Sequence, residues 1–220
     1  MTTVAILPAK SFEKAKQRLS PAIQLGYRRA LVESMFSDAL IALRRVGSID
    51  EIFVVTSDHT AAQIAGGYGA AVIDDTAHSH SDAVGLGIAH ALAIGATRAL
   101  LVPGDCPLLD PAELEELLAR RVAERSVVIV PDRHGEGTNA LLLTPPDAMT
   151  PAFGEGSRQR HTDLAIAQGL TPEVVEVPSL ALDIDTSDDL EQLVAQFAST
   201  RGRAANTRGM LSQLIRSQAG

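Results

Sequence analysis

Three aspartates and a run of cations, far apart in the chain, are the residues whose types and settings could do chemistry. Asp183 and Asp185 stand in Leu182-Asp183-Ile184-Asp185-Thr186. Positions i and i+2 of a strand face one side, so both carboxylates point together while Leu182 and Ile184 turn away. Converging carboxylates repel unless a cation lies between them, and hard oxygen donors suit Mg²⁺. Asp105 follows an apolar stretch in Pro103-Gly104-Asp105-Cys106-Pro107, where a tight turn would aim it into a cleft as the third ligand. The plainer readings are a helix cap for one of the pair and a turn-forming residue for Asp105.

Lys10, Lys14, Lys16 and Arg18 follow directly on the apolar stretch Val4 to Leu7, with Glu13 the one acid among them. Most charge runs are a solvated face. This one follows the first strand, where α/β folds bind phosphate. No G-x-G-x-x-G or G-x-x-x-x-G-K occurs there, so the cations themselves would hold the anion. Cations beside metal-type carboxylates are what chemistry on a polyphosphate requires. A second anion site is expected at Phe153-Gly154-Glu155-Gly156-Ser157-Arg158-Gln159-Arg160-His161. Two glycines expose backbone N–H groups, and Ser157 starts a helix running to about Gln168. An ordinary glycine turn with a serine cap is the alternative. Thr138 and Asn139, after the loop 133–137, supply further donors. Cys106 has no helper residues around it and reads as structural. His78 and His80 read as a surface loop before they read as a transition-metal site. No Gly-x-Ser-x-Gly is present.

The elements that must position these groups alternate. Apolar strands are expected at Val4–Leu7, Glu51–Thr56, Ala70–Ile73, Ala99–Val102, Val127–Val130, Asn139–Leu143 and Val174–Val177. Helical patterns fill Gly26–Arg45, Asp82–Ile94, Pro111–Glu124 with Asp110 as its cap, and Ser187–Phe197 capped by Ser187 or Thr186. This order predicts an α/β fold, a single domain with a mostly parallel sheet covered by helices on both faces. The lysine loop, Ser57-Asp58, Gly104-Asp105 and Asp132 all follow strands and should meet beyond the carboxyl ends. Residues 1–198 form the domain, and 199–220 read as a weakly ordered tail with one turn around Met210–Ile215.

Composition narrows the partners. The chain has 220 residues, 45% hydrophobic and 21% charged, with a formal charge of −8. That is a globular protein long enough to bury a sizeable core. Its negative charge and its lack of Trp argue against a nucleic-acid surface. No run approaches the roughly 18 apolar residues of a membrane span, and no signal peptide is read at the start. One cysteine points to a reducing cytoplasm.

The ordered set Ala5-Ile6-Leu7-Pro8-Ala9-Lys10, Ala15-Lys16-Gln17-Arg18-Leu19, Gly104-Asp105-Cys106-Pro107-Leu108, Gly137-Thr138-Asn139-Ala140, Phe153-Gly154-Glu155-Gly156-Ser157 and Leu182-Asp183-Ile184-Asp185-Thr186 resembles the guanylyltransferases of deazaflavin coenzyme F-420 biosynthesis. The resemblance covers about residues 4–198. It implies the nucleotidyltransferase fold (GT-A-like, Rossmann-like) and Mg²⁺ on Asp105, Asp183 and Asp185. It implies Thr138, Asn139, Gly154 and Ser157 on a phosphorylated three-carbon acid. It also implies Pro8, Lys10, Lys16, Arg18 and Gly85 on GTP, with Lys10, Arg18 and Asp105 assisting the transfer. Phosphoenolpyruvate is the expected acceptor; 2-phospho-L-lactate, 3-phosphoglycerate and a molybdopterin remain open, as does a GTP-binding module without turnover. A homodimer is left open too. Wider relatives often carry Asn in the Gly-Leu-Asn stretch of the nucleotide site, where this chain has Gly85-Leu86-Gly87.

Overall fold

The computed structural model describes all residues except 14, 21–22, 77–78, 121–122 and 219–220, so the expectations for Lys14 and His78 lie outside the described residues. The elements in chain order are β1 (Thr3–Pro8), α1 (Leu25–Leu43), β2 (Glu51–Thr56), α2 (His59–Gly67), β3 (Ala71–Asp74), α3 (His80–Ala93) and β4 (Arg98–Leu101). Then come α4 (Pro111–Leu118), β5 (Ser126–Pro131), β6 (Thr138–Thr144), α5 (Ser157–Ala167), β7 (Glu173–Val174), α6 (Ser187–Gln196) and α7 (Ala205–Gln218). Short 3₁₀ turns occupy Gln17–Leu19 and Pro178–Leu180.

The strands make one sheet in the order β3-β2-β1-β4-β6-β5-β7. Strand β6 runs antiparallel to β4 and β5, and the other pairings are parallel. Strand β1 shows why such a sheet needs cover on both sides. Val4 and Ile6 pack with Ala83, Val84 and Ile88 of α3. Ala5 and Leu7 face the other way, among Leu31, Met35 and Leu40 of α1. All four strand residues are fully buried, as a strand between two helical layers requires. The α/β expectation therefore holds.

Helix starts follow from local chemistry. The Asp58 carboxylate accepts from Thr60 N and Ala61 N, and the Asp110 carboxylate from Ala112 N beside Pro111. Thr186 and Asp189 form a reciprocal capping box at α6.

Four expectations differ from the structure. Helix α4 ends at Leu118, not Glu124, and buries Leu114, Leu117 and Leu118. Strand β7 is two residues long. Residues 182–186 join no strand: Leu182 and Ile184 are buried as alternation predicts, while the backbone N–H groups of Ile184, Asp185 and Thr186 donate to Asp105 O and the Asp189 carboxylate. The tail is corrected most. Residues 205–218 form α7, whose Thr207, Met210, Leu211 and Leu214 are buried. Apolar residues at i, i+1 and i+4 make one helical face, and α1 receives it. None of the described helices is long and apolar enough to cross a membrane.

Candidate active site

Strands β1 and β4 end at the edge of the sheet where antiparallel β6 begins. Beyond that edge lies a cleft of about 270 Å³, lined by Pro8, Lys10, Lys16, Phe36, His80, Gly104, Asp105 and Asp185. A second, narrower cleft shares Pro8, His80 and Pro103 with it and reaches Thr138, Asn139 and Phe153. The chain turns at Gly104 so close to α1 that a Cβ there would lie 2.7 Å from Phe36 Cδ2. That contact sets where Asp105 emerges.

The three remote aspartates come together. Ile184 N donates to Asp105 O at 3.3 Å, tying the two segments. Lys16 Nζ donates to Asp105 Oδ2 and, at 2.6 Å, to Asp185 Oδ1. Burial works to lower the Lys16 pKa, but Asp105 and Asp185 outweigh it and the net shift is upward. The ammonium therefore stays charged. Lys16 adopts φ 55° and ψ 40°, in the left-handed region, which costs a non-glycine residue about 1–2 kcal/mol. Asp183 lies behind the pair. Burial first, then the Asp105 charge, pushes its pKa up to about 6, against an opposing bond from Asn139 Nδ2 to Asp183 Oδ1 at 3.2 Å.

These groups suit a hard divalent cation. The donors are carboxylate oxygens, and Asp105 Oδ1 is buried without a hydrogen-bond partner. A cation is already drawn between two of the acids, in the form of Lys16 Nζ. Among the described residues no three His, Cys, Asp or Glu side chains close on a common point at ligand spacing. A metal would take its place by displacing the lysine.

The segment expected to form a second anion site is a glycine turn leading into a helix. Gly154 and Gly156 have φ of 115° and 66°, and Ser157 opens α5 almost fully buried. These angles are open to glycine and strained for other residues. The cap position is Gly156, not a serine. Loop 132–137 is built around Asp132, whose carboxylate accepts from His134 N, Glu136 N and Gly137 N. It delivers Thr138 to the start of β6. The Thr138 hydroxyl meets His161 Nδ1 at 3.0 Å.

Other expected residues are placed differently. Lys10 lines the cleft and pairs with Asp75 at 2.6 Å. Arg18 is exposed and does not line the cleft, and Gly85 is exposed on α3. Asn139 spends its amide nitrogen on Leu180 O (2.6 Å) and Asp183, so it positions the acidic segment. Gly87 is buried, and a Cβ there would lie 2.4 Å from Ile6 Cγ2. Helix α3 approaches β1 too closely for Asn at this position. His80 is the first residue of α3, not a loop residue, and packs edge-on to Phe153. Cys106 is fully buried, and burial raises its pKa well above the ordinary thiol value, as a structural residue requires. Arg133, expected only as the start of a loop, pairs with Asp188 and Asp189, both at 2.6 Å, and holds the segment after Asp185. His161 was seen only as part of a motif, and no spacing signal could have joined it to Thr138.

Comparison with known proteins gives this arrangement its context. The model of the guanylyl transferase, CofC-like family matches residues 3–213. A phosphoenolpyruvate guanylyltransferase of Conexibacter woesei is 55% identical over 98% of both chains. A 3-phospho-D-glycerate guanylyltransferase of Colwellia psychrerythraea is 36% identical over 88% of this chain and 91% of its own. The solved structure of a nucleotidyl transferase from Methanothermobacter superposes with a TM-score of 0.64 at 18% identity, covering 91% of this chain and 99% of that one.

Proposed function

The chain belongs to the guanylyl transferase family described as CofC-like and is a nucleotidyltransferase, and on that premise we propose that it joins GTP to phosphoenolpyruvate. A phosphate oxygen of the acid attacks the α-phosphorus of GTP, the new P–O–P bond forms, and the bond to the β-phosphate breaks. Diphosphate leaves, and the product is enolpyruvyl-diphospho-guanosine, a precursor for coenzyme F-420. The nucleophile is ionised near neutral pH, so no general base is required.

The obstacle is repulsion between anions. Two unit charges about 4 Å apart repel by roughly 4 kcal/mol at an effective dielectric near 20. Lys10 and Lys16 line the larger cleft and offset that charge on the triphosphate. Thr138, the Gly154–Gly156 turn and Ser157 offer donors to the acid. Asp105, Asp183 and Asp185 would hold Mg²⁺, which when bound neutralises and aligns the phosphates. The single observation that supports the reading is Lys16 bridging Asp105 and Asp185 at the sheet edge, with Asp183 near enough to feel both charges.

The test crosses four nucleoside triphosphates with phosphoenolpyruvate, 2-phospho-L-lactate and 3-phosphoglycerate in the presence of Mg²⁺, and measures diphosphate. The largest kcat/KM is expected for GTP with phosphoenolpyruvate. No diphosphate from that pair would overturn the proposal.

A further inference from the structure

His161 lies deep behind the smaller cleft, and two contacts fix what its ring can offer. It is fully buried, and its ring meets Phe153 edge-on at 5.0 Å. Ala152 N donates to His161 Nε2 at 2.9 Å. A backbone amide can only donate, so Nε2 must accept. A neutral imidazole with Nε2 accepting carries its proton on Nδ1. That Nδ1–H points at Thr138 Oγ1, 3.0 Å away. The threonine oxygen is then an acceptor toward histidine. Its own proton must turn elsewhere, and Thr138 lines the smaller cleft. Among the described residues no other hydrogen bond engages this hydroxyl.

We infer that His161 is a positioning residue that locks the Thr138 hydroxyl as a hydrogen-bond donor into the cleft, so that it binds an anionic oxygen of the acceptor acid. The inference rests on the reading that this cleft takes the acid. The opposite tautomer would leave Thr138 donating to histidine and presenting only lone pairs, which repel a phosphate or carboxylate. A hydroxyl oriented this way also favours an anionic oxygen over an ammonium in the same place. Burial, with Arg160 adding to it, lowers the His161 pKa to about 4, so the ring is neutral when the enzyme works. Arg160 also clamps the same turn, through Ala152 O at 2.9 Å and Glu155 O at 2.7 Å.

Two measurements decide the matter. In isotope-labelled wild-type protein near neutral pH, the His161 ring nitrogens should report Nδ1–H; an Nε2–H ring or an imidazolium overturns the inference whatever the enzyme turns over. The second is a mutant cycle. His161→Phe keeps the ring and should raise KM for phosphoenolpyruvate about tenfold while leaving KM for GTP within about twofold, the scale of one hydrogen bond to a charged group. Thr138→Val should do the same, and the double variant should be no worse than Thr138→Val alone. His161→Gln, which can still donate to Thr138, should fall between; it carries the comparison if the phenylalanine variant does not fold. Independent, multiplying effects, or equal losses in KM for both substrates, would leave His161 a packing residue only. If wild-type protein releases no diphosphate, the proposed reaction fails, while the ring-nitrogen result still decides the role of His161.

Discussion

Asp38 and Asp105 are both aspartates drawn out of water, and their surroundings differ in kind. The Asp38 carboxylate, on α1, accepts from Asn206 N, Asn206 Nδ2, Thr207 N and Thr207 Oγ1 at 2.7–3.1 Å. Its partners are neutral donors at the start of α7, and together they use both oxygens. Asp105 has one oxygen on Lys16 and the other buried without a partner, with Asp183 and Asp185 beside it. A carboxylate satisfied by the fold acts as a staple. One left partly unsatisfied among other acids has its charge only partly answered by the fold, the pattern expected where a ligand completes the site. Stability and activity should therefore respond in opposite directions at the two places.

The sharpest way to break that contrast is Asp183→Asn. The amide keeps the acceptor for Asn139 and loses the charge. It should lower kcat by about a thousandfold, roughly 4 kcal/mol, while the metal-free protein melts at a higher temperature. Near-normal turnover would remove Asp183 from the site. Next in size is Asp38→Ala, which strands four donors. It should cost about 3 kcal/mol and lower Tm by about 6–10 °C, with kcat at saturating substrate kept within about threefold. A large fall in kcat would mean that the staple belongs to the site after all. Ser157→Ala should raise KM for the acid by about tenfold and KM for GTP by less, about 1.4 kcal/mol of lost binding. The reverse pattern would exchange the two clefts.

The smallest effect is in pH. Asp183 keeps its proton up to about 6 in the folded chain, against 3.8 for an ordinary carboxyl. The folded state thus binds more protons than the unfolded one between those values, and metal-free stability rises as pH falls through them. Asp183→Asn lacks this response. Its advantage in Tm over wild type should be widest above pH 6 and close toward pH 4, as followed by thermal melts in chelator. An equal gap at every pH would place the origin of the strain elsewhere.

Much of the frame could be read directly. Apolar runs marked the strands, and Asp110 with Pro111, or Thr186 ahead of α6, marked helix starts through local chemistry. The approach of Asp105 to Asp183 and Asp185 was legible in outcome but not in cause: residues 182–186 join no strand and are tied to Asp105 by the Ile184 N–H. What escaped depends on partners distant in sequence. The reversed direction of β6 brings Thr138 to the ligand edge, and no residue in 138–144 signals it. Asn139 looked like a substrate donor until its amide was found on Leu180, 41 positions away. Helix α7 reads as a polar tail because its cap is supplied from 168 positions upstream. Gly87 looked like a departure in the nucleotide site and is a demand of packing.

Helix α1 carries a mechanical consequence. Its Val32 and Phe36 form part of the floor of the larger cleft, and two residues further on Asp38 grips the last helix of the chain. The same rod thus supports the floor of that cleft and anchors the chain's far end. Trimming or loosening residues 205–218 should be felt at a distance as weaker GTP capture, with the chemical step itself unharmed.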